Sequence, residues 1–263
     1  MKSFAEAFEM FQGGDVAGAE AALVELIARA PDDADVLHLM GALKHSKNDL
    51  PAAAHFFDRA HKASPYDAEV AFNRAVVLSA LGQHAPCVEA CAGFLKLRPG
   101  DPEALLLQGV SYAALGRHEA ALAAFDQTYE HRADVHVRRA ASLLQLGRVE
   151  DGLTAAARAS GIDPRHADAH YHRGQAFGML EMWPEAVEAL DAALALAPGK
   201  VGIRALRSAA LANIGRFDEA LADIDAALAR ALDRAELLAR RAYILGAAGR
   251  VDDALAAHER VLK

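Results

Sequence analysis

Residues 34–67 read ADVLHLMGALKHSKNDLPAAAHFFDRAHKASPYD, and residues 68–101 read AEVAFNRAVVLSALGQHAPCVEACAGFLKLRPGD. The two lines agree in punctuation more than in letters. Pro65 and Pro99 fall at the same place, and Pro31 stands 34 residues before the first of them. Pro164 and Pro198 keep that interval further on. Gly82, Gly116, Gly147, Gly215 and Gly249 form a second series, spaced by 34, 31, 68 and 34. A fixed period of this size marks a stacked array, in which each unit buries its apolar face only against its neighbours.

Extended in both directions, the period divides the chain into eight units: 1–33, 34–67, 68–101, 102–132, 133–166, 167–200, 201–234 and 235–263. Each holds two apolar-periodic segments joined by a short turn, which predicts a helical hairpin. The fourth unit is three residues short and lacks its proline, and Gly13-Gly14 in the first reads as the place of an insertion. Asp33, Asp67 and Asp101 stand where the next helix needs an N-cap. Acids two residues later (Asp35, Glu69, Glu103, Asp134, Asp168 and Glu236) suit the positive end of the helix dipole. Pro51, Pro86 and Pro184 open second helices, where a missing N–H costs least.

Composition narrows the function. Of 263 residues 53% are hydrophobic but only 6% aromatic, so the array is built largely from alanine and its cores are thin and local. A net charge of -8 argues against general nucleic-acid binding, which needs a basic face. No run of 18 apolar residues could span a membrane. Glu6 and Glu9 interrupt the first apolar stretch, so no secretory leader is expected there. Two cysteines make no disulfide framework, and the expected setting is the cytoplasm.

These residues resemble the tetratricopeptide repeat, in which a large residue, Leu-Gly and Tyr mark the first helix and Ala, Phe, Ala and Pro the second. The second unit supplies Leu37, Met40, Gly41, Ala53, Phe57, Ala60 and Pro65. The fourth supplies Leu105, Gly109, Tyr112, Ala121 and Phe125, and the sixth Gly174, Phe177, Ala186, Leu190, Ala193 and Pro198. The resemblance implies an all-α fold: a right-handed α-solenoid, or superhelix, of about eight helix-turn-helix hairpins forming one array over 1–263. It also implies a non-catalytic scaffold that takes a peptide or partner segment in its concave groove. In addition, the phrase Ala34 to Gly41 looks like the opening repeats of bacterial proteins that join such arrays to glycosyltransferase or sulfotransferase domains. The alternative is therefore the N-terminal targeting arm of a larger enzyme.

Candidate chemistry is sparse. Cys87 and Cys91 lie four apart with His84 nearby, a spacing that suits a metal, but they occupy core positions of a second helix. His166, His170 and His172 cluster, but His166 belongs to the inter-repeat turn and His170 holds a bulky packing position, and no phosphate loop or nucleophile motif is present. We expect no metal and no cofactor. Trp183 reads as the staple of its hairpin. One charge pattern stands out: Arg74, Arg139, Arg207 and Arg241 each follow an aspartate of the preceding unit, namely Asp58, Asp126, Asp191 and Asp225, whereas Arg173 follows Ala157. The four pairs are expected to bridge successive repeats.

In the family, positions 2, 5, 6, 9, 12 and 13 of each first helix most often face the ligand. Carried onto this chain, they give His38, Phe72, Asn73, Val76, Leu106, Val110, Arg138, Tyr171, His172, Gln175, Arg240 and Tyr243 as partner-binding candidates. The stretch around Phe72, Val76, Leu106 and Val110 is apolar, and exposed apolar groups at such positions mark partner sites. The lysine and asparagine clamp of chaperone-tail binders is missing, as is the asparagine ladder of O-linked sugar transferases, of which Asn73 alone remains. The last unit stops inside a second helix without a polar cap, which predicts a sticky face at Leu255, Val261 and Leu262 and self-association through it.

Overall fold

The computed structural model describes residues 2–129, 131–230 and 235–261, with side chains described up to Ala257. Sixteen helices and no strand occur among the described residues. They pair as α1 (Phe4–Gln12) with α2 (Val16–Arg29), α3 (Ala34–Ser46) with α4 (Leu50–Ala63), α5 (Ala68–Ala80) with α6 (His84–Leu97), and α7 (Pro102–Ala114) with α8 (His118–Phe125). The series continues with α9 (Ala133–Gln145), α10 (Val149–Ile162), α11 (Ala167–Met179), α12 (Trp183–Leu196), α13 (Val201–Asn213), α14 (Phe217–Leu228), α15 (Ala235–Ala247) and α16 (Val251–Val261). Every unit boundary drawn from the sequence, from Ala34 to Ala235, is the first residue of an odd-numbered helix. The chain divides into two compact units, 1–129 and 130–263, of four hairpins each. Within each unit the hairpins stack in chain order, in the manner of an α-solenoid.

The local causes are the expected ones. Oδ1 of Asp33, Asp67 and Asp101 accepts two backbone N–H groups each at the start of α3, α5 and α7, at 2.9–3.1 Å. Gly82, Gly116, Gly147, Gly215 and Gly249 adopt φ of 70–77° just after a helix, the left-handed turn glycine permits. Asn48 and Glu181 hold the same place with φ of 59° and 58°. The turn at Gly13-Gly14 is three residues long, like the turn between α3 and α4, so the insertion read there is absent. The shortened fourth unit spends its deletion on α8, which is only eight residues long.

In the second, fourth and sixth hairpins, close helix contact rests on a glycine at position 8 of the first helix. A Cβ on Gly41 would lie 2.8 Å from the Phe57 ring, and one on Gly109 would lie 2.4 Å from Phe125. In the sixth repeat a Cβ on Gly174 would meet Leu190 at 2.5 Å. Phe57, Phe125 and Leu190 are all buried.

The expected inter-repeat ion pairs form at Asp58–Arg74 (2.5 Å), Asp191–Arg207 (2.5 Å) and Asp225–Arg241 (2.7 Å). Asp126 and Arg139 fall on either side of the division into units. One carboxylate escaped the sequence pattern. Asp223 on α14 is 2% exposed and takes both Nε and Nη2 of Arg207, at 2.5 and 2.8 Å, with Arg204 at 3.1 Å. Hydrogen bonding to Asp223 raises the affinity of Arg207 for its proton. The cysteines are core, as their positions predict: Cys87 and Cys91 are both fully buried, and the Ser111 hydroxyl donates to the Cys87 sulfur at 3.2 Å.

Candidate functional site

In the second unit, helices α11, α13 and α15 lie side by side and present one face. Gly174 and Gly178 stand one turn apart on α11. Opposite Gly174 lies Leu190 rather than a phenyl ring, and a leucine reaches less far than a phenylalanine. A pit of about 340 Å³ opens there, with Ala186 and Leu190 at its base and Met179, Trp183, Leu206 and Arg240 around it. A depression of about 380 Å³ adjoins it through Ala209 and Arg240 and reaches Tyr243. A third, of about 340 Å³, adjoins through Leu206 and Arg240 and reaches Tyr171 and Glu236. Arg240 is common to all three, so the depressions form one trough about this guanidinium.

Arg240 is held in place. Its Nη1 donates to the Ala205 carbonyl at 2.8 Å and its Nη2 to Glu236 at 3.3 Å. Tyr171 is half-buried, and burial raises the pKa of its hydroxyl. Beside it, Lys200 reaches Asp168 at 2.5 Å and links α11 to the turn before α13. His172 Nδ1 donates to Gln175 Oε1 at 3.2 Å, and burial lowers the His172 pKa, favouring the neutral ring. Gln175 thereby stands fixed at the edge of the pit.

Of the residues singled out in the second unit, Tyr171, Gln175, Arg240 and Tyr243 converge on the trough, and His172 braces Gln175. Arg138 is exposed on α9, outside it. Met179, Trp183 and Gly178 were not among the candidates. Trp183 staples its hairpin against Gly178 and also walls the pit. The doubled glycine of α11, facing a position that lacks phenylalanine, is the sequence signal that marks this place.

The first unit differs. Phe72 leans on Phe94, with ring centroids 5.1 Å apart, and both line a depression of about 300 Å³ rimmed by Glu69, Arg98 and Glu103. The Asn73 amide donates to His38 Nε2 at 2.8 Å, and His38 lies 5.7 Å from the Phe57 ring. Val76 and Val110 are half-buried. Leu106, expected on the open surface, is only 9% exposed. Its helix packs against α5, α6 and α8, and a long apolar chain gains most by turning into that space. The apolar stretch expected here is thus partly covered and partly bordered by charge.

The histidines do not converge: His170 Nε2 donates to the Pro164 carbonyl, away from the His172–Gln175 pair. Among the described residues, no three His, Cys, Asp or Glu side chains are grouped to hold a metal ion. Nor is any described helix long and apolar enough to cross a membrane. At the far end Leu255 and Val251 are exposed, while Leu262 and the side chain of Val261 fall outside the described residues.

Paired helices joined by short turns and stacked at a period of 34 define a helical-repeat protein. Residues 5–68, 72–134 and 137–201 match the tetratricopeptide repeat, and the chain belongs to that family. Among curated proteins no sequence match is found. The fold is shared with a tetratricopeptide repeat protein from Parabacteroides merdae, at 16% identity and a TM-score of 0.66 over 92% of this chain and 96% of that one. It is also shared with YrrB, a TPR protein with an unusual peptide-binding site, at 21% identity and a TM-score of 0.59 over 69% of this chain and 95% of YrrB. A chain of the APC/C hetero-tetramer Cut9–Hcn1 aligns at 14% identity with a TM-score of 0.67, over 91% of this chain and 48% of that one.

Proposed function

We propose that this chain is a protein-interaction scaffold and that its second unit holds a segment of a partner protein in the trough on α11, α13 and α15. The observation that carries the reading is the pit beside Gly178. A hollow of about 340 Å³ is large enough for a leucine or an aromatic side chain, and glycine, alanine, leucine, methionine and tryptophan make up most of its wall. Arg240, Gln175 and the hydroxyls of Tyr171 and Tyr243 stand around it as hydrogen-bonding groups for the partner's backbone and polar side chains. Small apolar pits ringed by a few fixed polar groups are where extended or helical segments anchor. The membership in a family with peptide-binding relatives supports the same reading.

The test is a selection of peptides from a random library on the immobilised chain, followed by affinity measurements on a filled pit. A Cβ on Gly178 would stand 3.7 Å from Trp183, an ordinary contact, so Gly178→Leu occupies the hollow without striking backbone. The selected peptides should carry a large apolar residue and lose at least ~10-fold in affinity for Gly178→Leu, the scale of one lost anchor side chain. Its thermal midpoint should stay near that of the parent. Undiminished affinity for the filled pit would overturn the assignment.

A further inference from the structure

Three arginines at the seventh position of a repeat share one arrangement. Arg74, Arg207 and Arg241 each bind the aspartate that lies sixteen residues earlier, on the preceding second helix. The aspartate side chains are 43%, 55% and 53% exposed, and the arginines only 21%, 21% and 28%. The carboxylate of each pair thus stands nearer the solvent than the guanidinium it meets. Arg173 occupies the same position in α11. Sixteen residues earlier, on α10, stands Ala157, whose side chain is an exposed methyl group. Arg173 Nε is shielded from water and has no hydrogen-bond partner. Among the described residues no carboxylate lies within ion-pair reach of it. A shielded N–H of a cation left unmet carries a standing cost, which a carboxylate brought to the guanidinium lowers.

We propose that Arg173 is a recognition point for an external carboxylate. An aspartate or glutamate side chain of a protein partner seats at the α10–α11 junction beside Ala157, where the junctions of Arg74, Arg207 and Arg241 hold their own aspartate. The chemistry is set by those junctions: the planar guanidinium fork suits a carboxylate, and Ala157 leaves only an exposed methyl where the aspartate would stand. A pairing of this kind contributes to the choice of partner and its register more than to raw affinity. The site involves no residue of the trough, and its test is independent of peptide capture there.

The experiment follows the arginine Nε–Hε signals of the full chain by NMR, with Arg173→Lys assigning the resonance. Sodium acetate replaces sodium chloride at constant ionic strength. The Arg173 signal should move progressively, and that of Arg207, already paired on two sides, should stay. Ala157→Asp should shift the Arg173 signal without any ligand and abolish its response to acetate. A blocked glycine–glutamate–glycine peptide should reproduce the acetate shift, and its glutamine counterpart should not. No response in the parent chain, or an equal response in Ala157→Asp, overturns the proposal. So does a larger response to inorganic phosphate than to acetate at matched ionic strength, which would assign the slot to phosphate instead.

Discussion

In the first unit a phenyl ring lies against each glycine of the hairpin crossing, Phe57 on Gly41 and Phe125 on Gly109. In the second unit, Leu190 lies against Gly174. Either choice closes the hairpin, because the missing Cβ makes room for a large side chain from the second helix. The choice governs the surface instead: beside the leucine a pit remains open. The charged contacts differ in the same way. Arg74 of the first unit has one aspartate, 43% exposed, whereas Arg207 of the second lies between exposed Asp191 and buried Asp223. One architecture thus tolerates different fillings, and the fillings differ in both their energetic weight and the surface they leave.

The largest expected contrast lies in the carboxylates. Asp223→Ala leaves Arg204 and Arg207 without their buried partner and should cost ~3–5 kcal/mol in urea unfolding. Asp58→Ala, at an exposed pair, should cost no more than ~1 kcal/mol. Equal losses would erase the distinction between the two units. At the crossings, Gly109→Ala forces a methyl to within 2.4 Å of a buried ring. It should destabilise by ~1–3 kcal/mol despite alanine's better helix propensity. Leu190→Phe, which imports the first unit's filling, should change stability by less than ~1.5 kcal/mol while closing the pit to selected peptides. Retained capture would show that the leucine is not what opens it.

A smaller contrast concerns the two turns without glycine. Glu181 of the second unit sits at φ 58°, where its Cβ is strained, and Glu181→Gly should gain ~1 kcal/mol. Asn48 of the first unit has φ 59°, but asparagine tolerates that region, so Asn48→Gly should gain less. The smallest expected effect is on pH dependence. Burial lowers the pKa of His61 in the first unit and of His172 in the second. On acidification the unfolded chain takes up these protons first, near pH ~6.5. Stability is therefore full above that value and falls as the pH drops toward the folded pKa. A His172→Gln variant should show a shallower loss of thermal midpoint between about pH 7 and 5 than the parent does. An unchanged slope would show that His172 adds nothing to it.

The helix starts, the caps, the turns and the inter-repeat pairs were legible in the sequence because each depends on residues close in the chain or one repeat away. An aspartate caps the helix that begins beside it, a glycine turns the chain where it stands, and a period of 34 carries each pairing to the next unit. The membership of the fold follows from these alone. What the tertiary structure decided depends on the space left when several helices meet. Nothing in the letters distinguishes Asp223 from its exposed neighbours, yet packing buries it against two arginines. Leu106 and Tyr243 both occupy first-helix positions that face ligand in the family, but one is covered and the other is 67% exposed. The pit exists because two glycines, a leucine and a tryptophan from neighbouring helices fail to fill a common volume. Local chemistry sets where a helix begins and ends, but whether a surface is open is a property of the packed assembly.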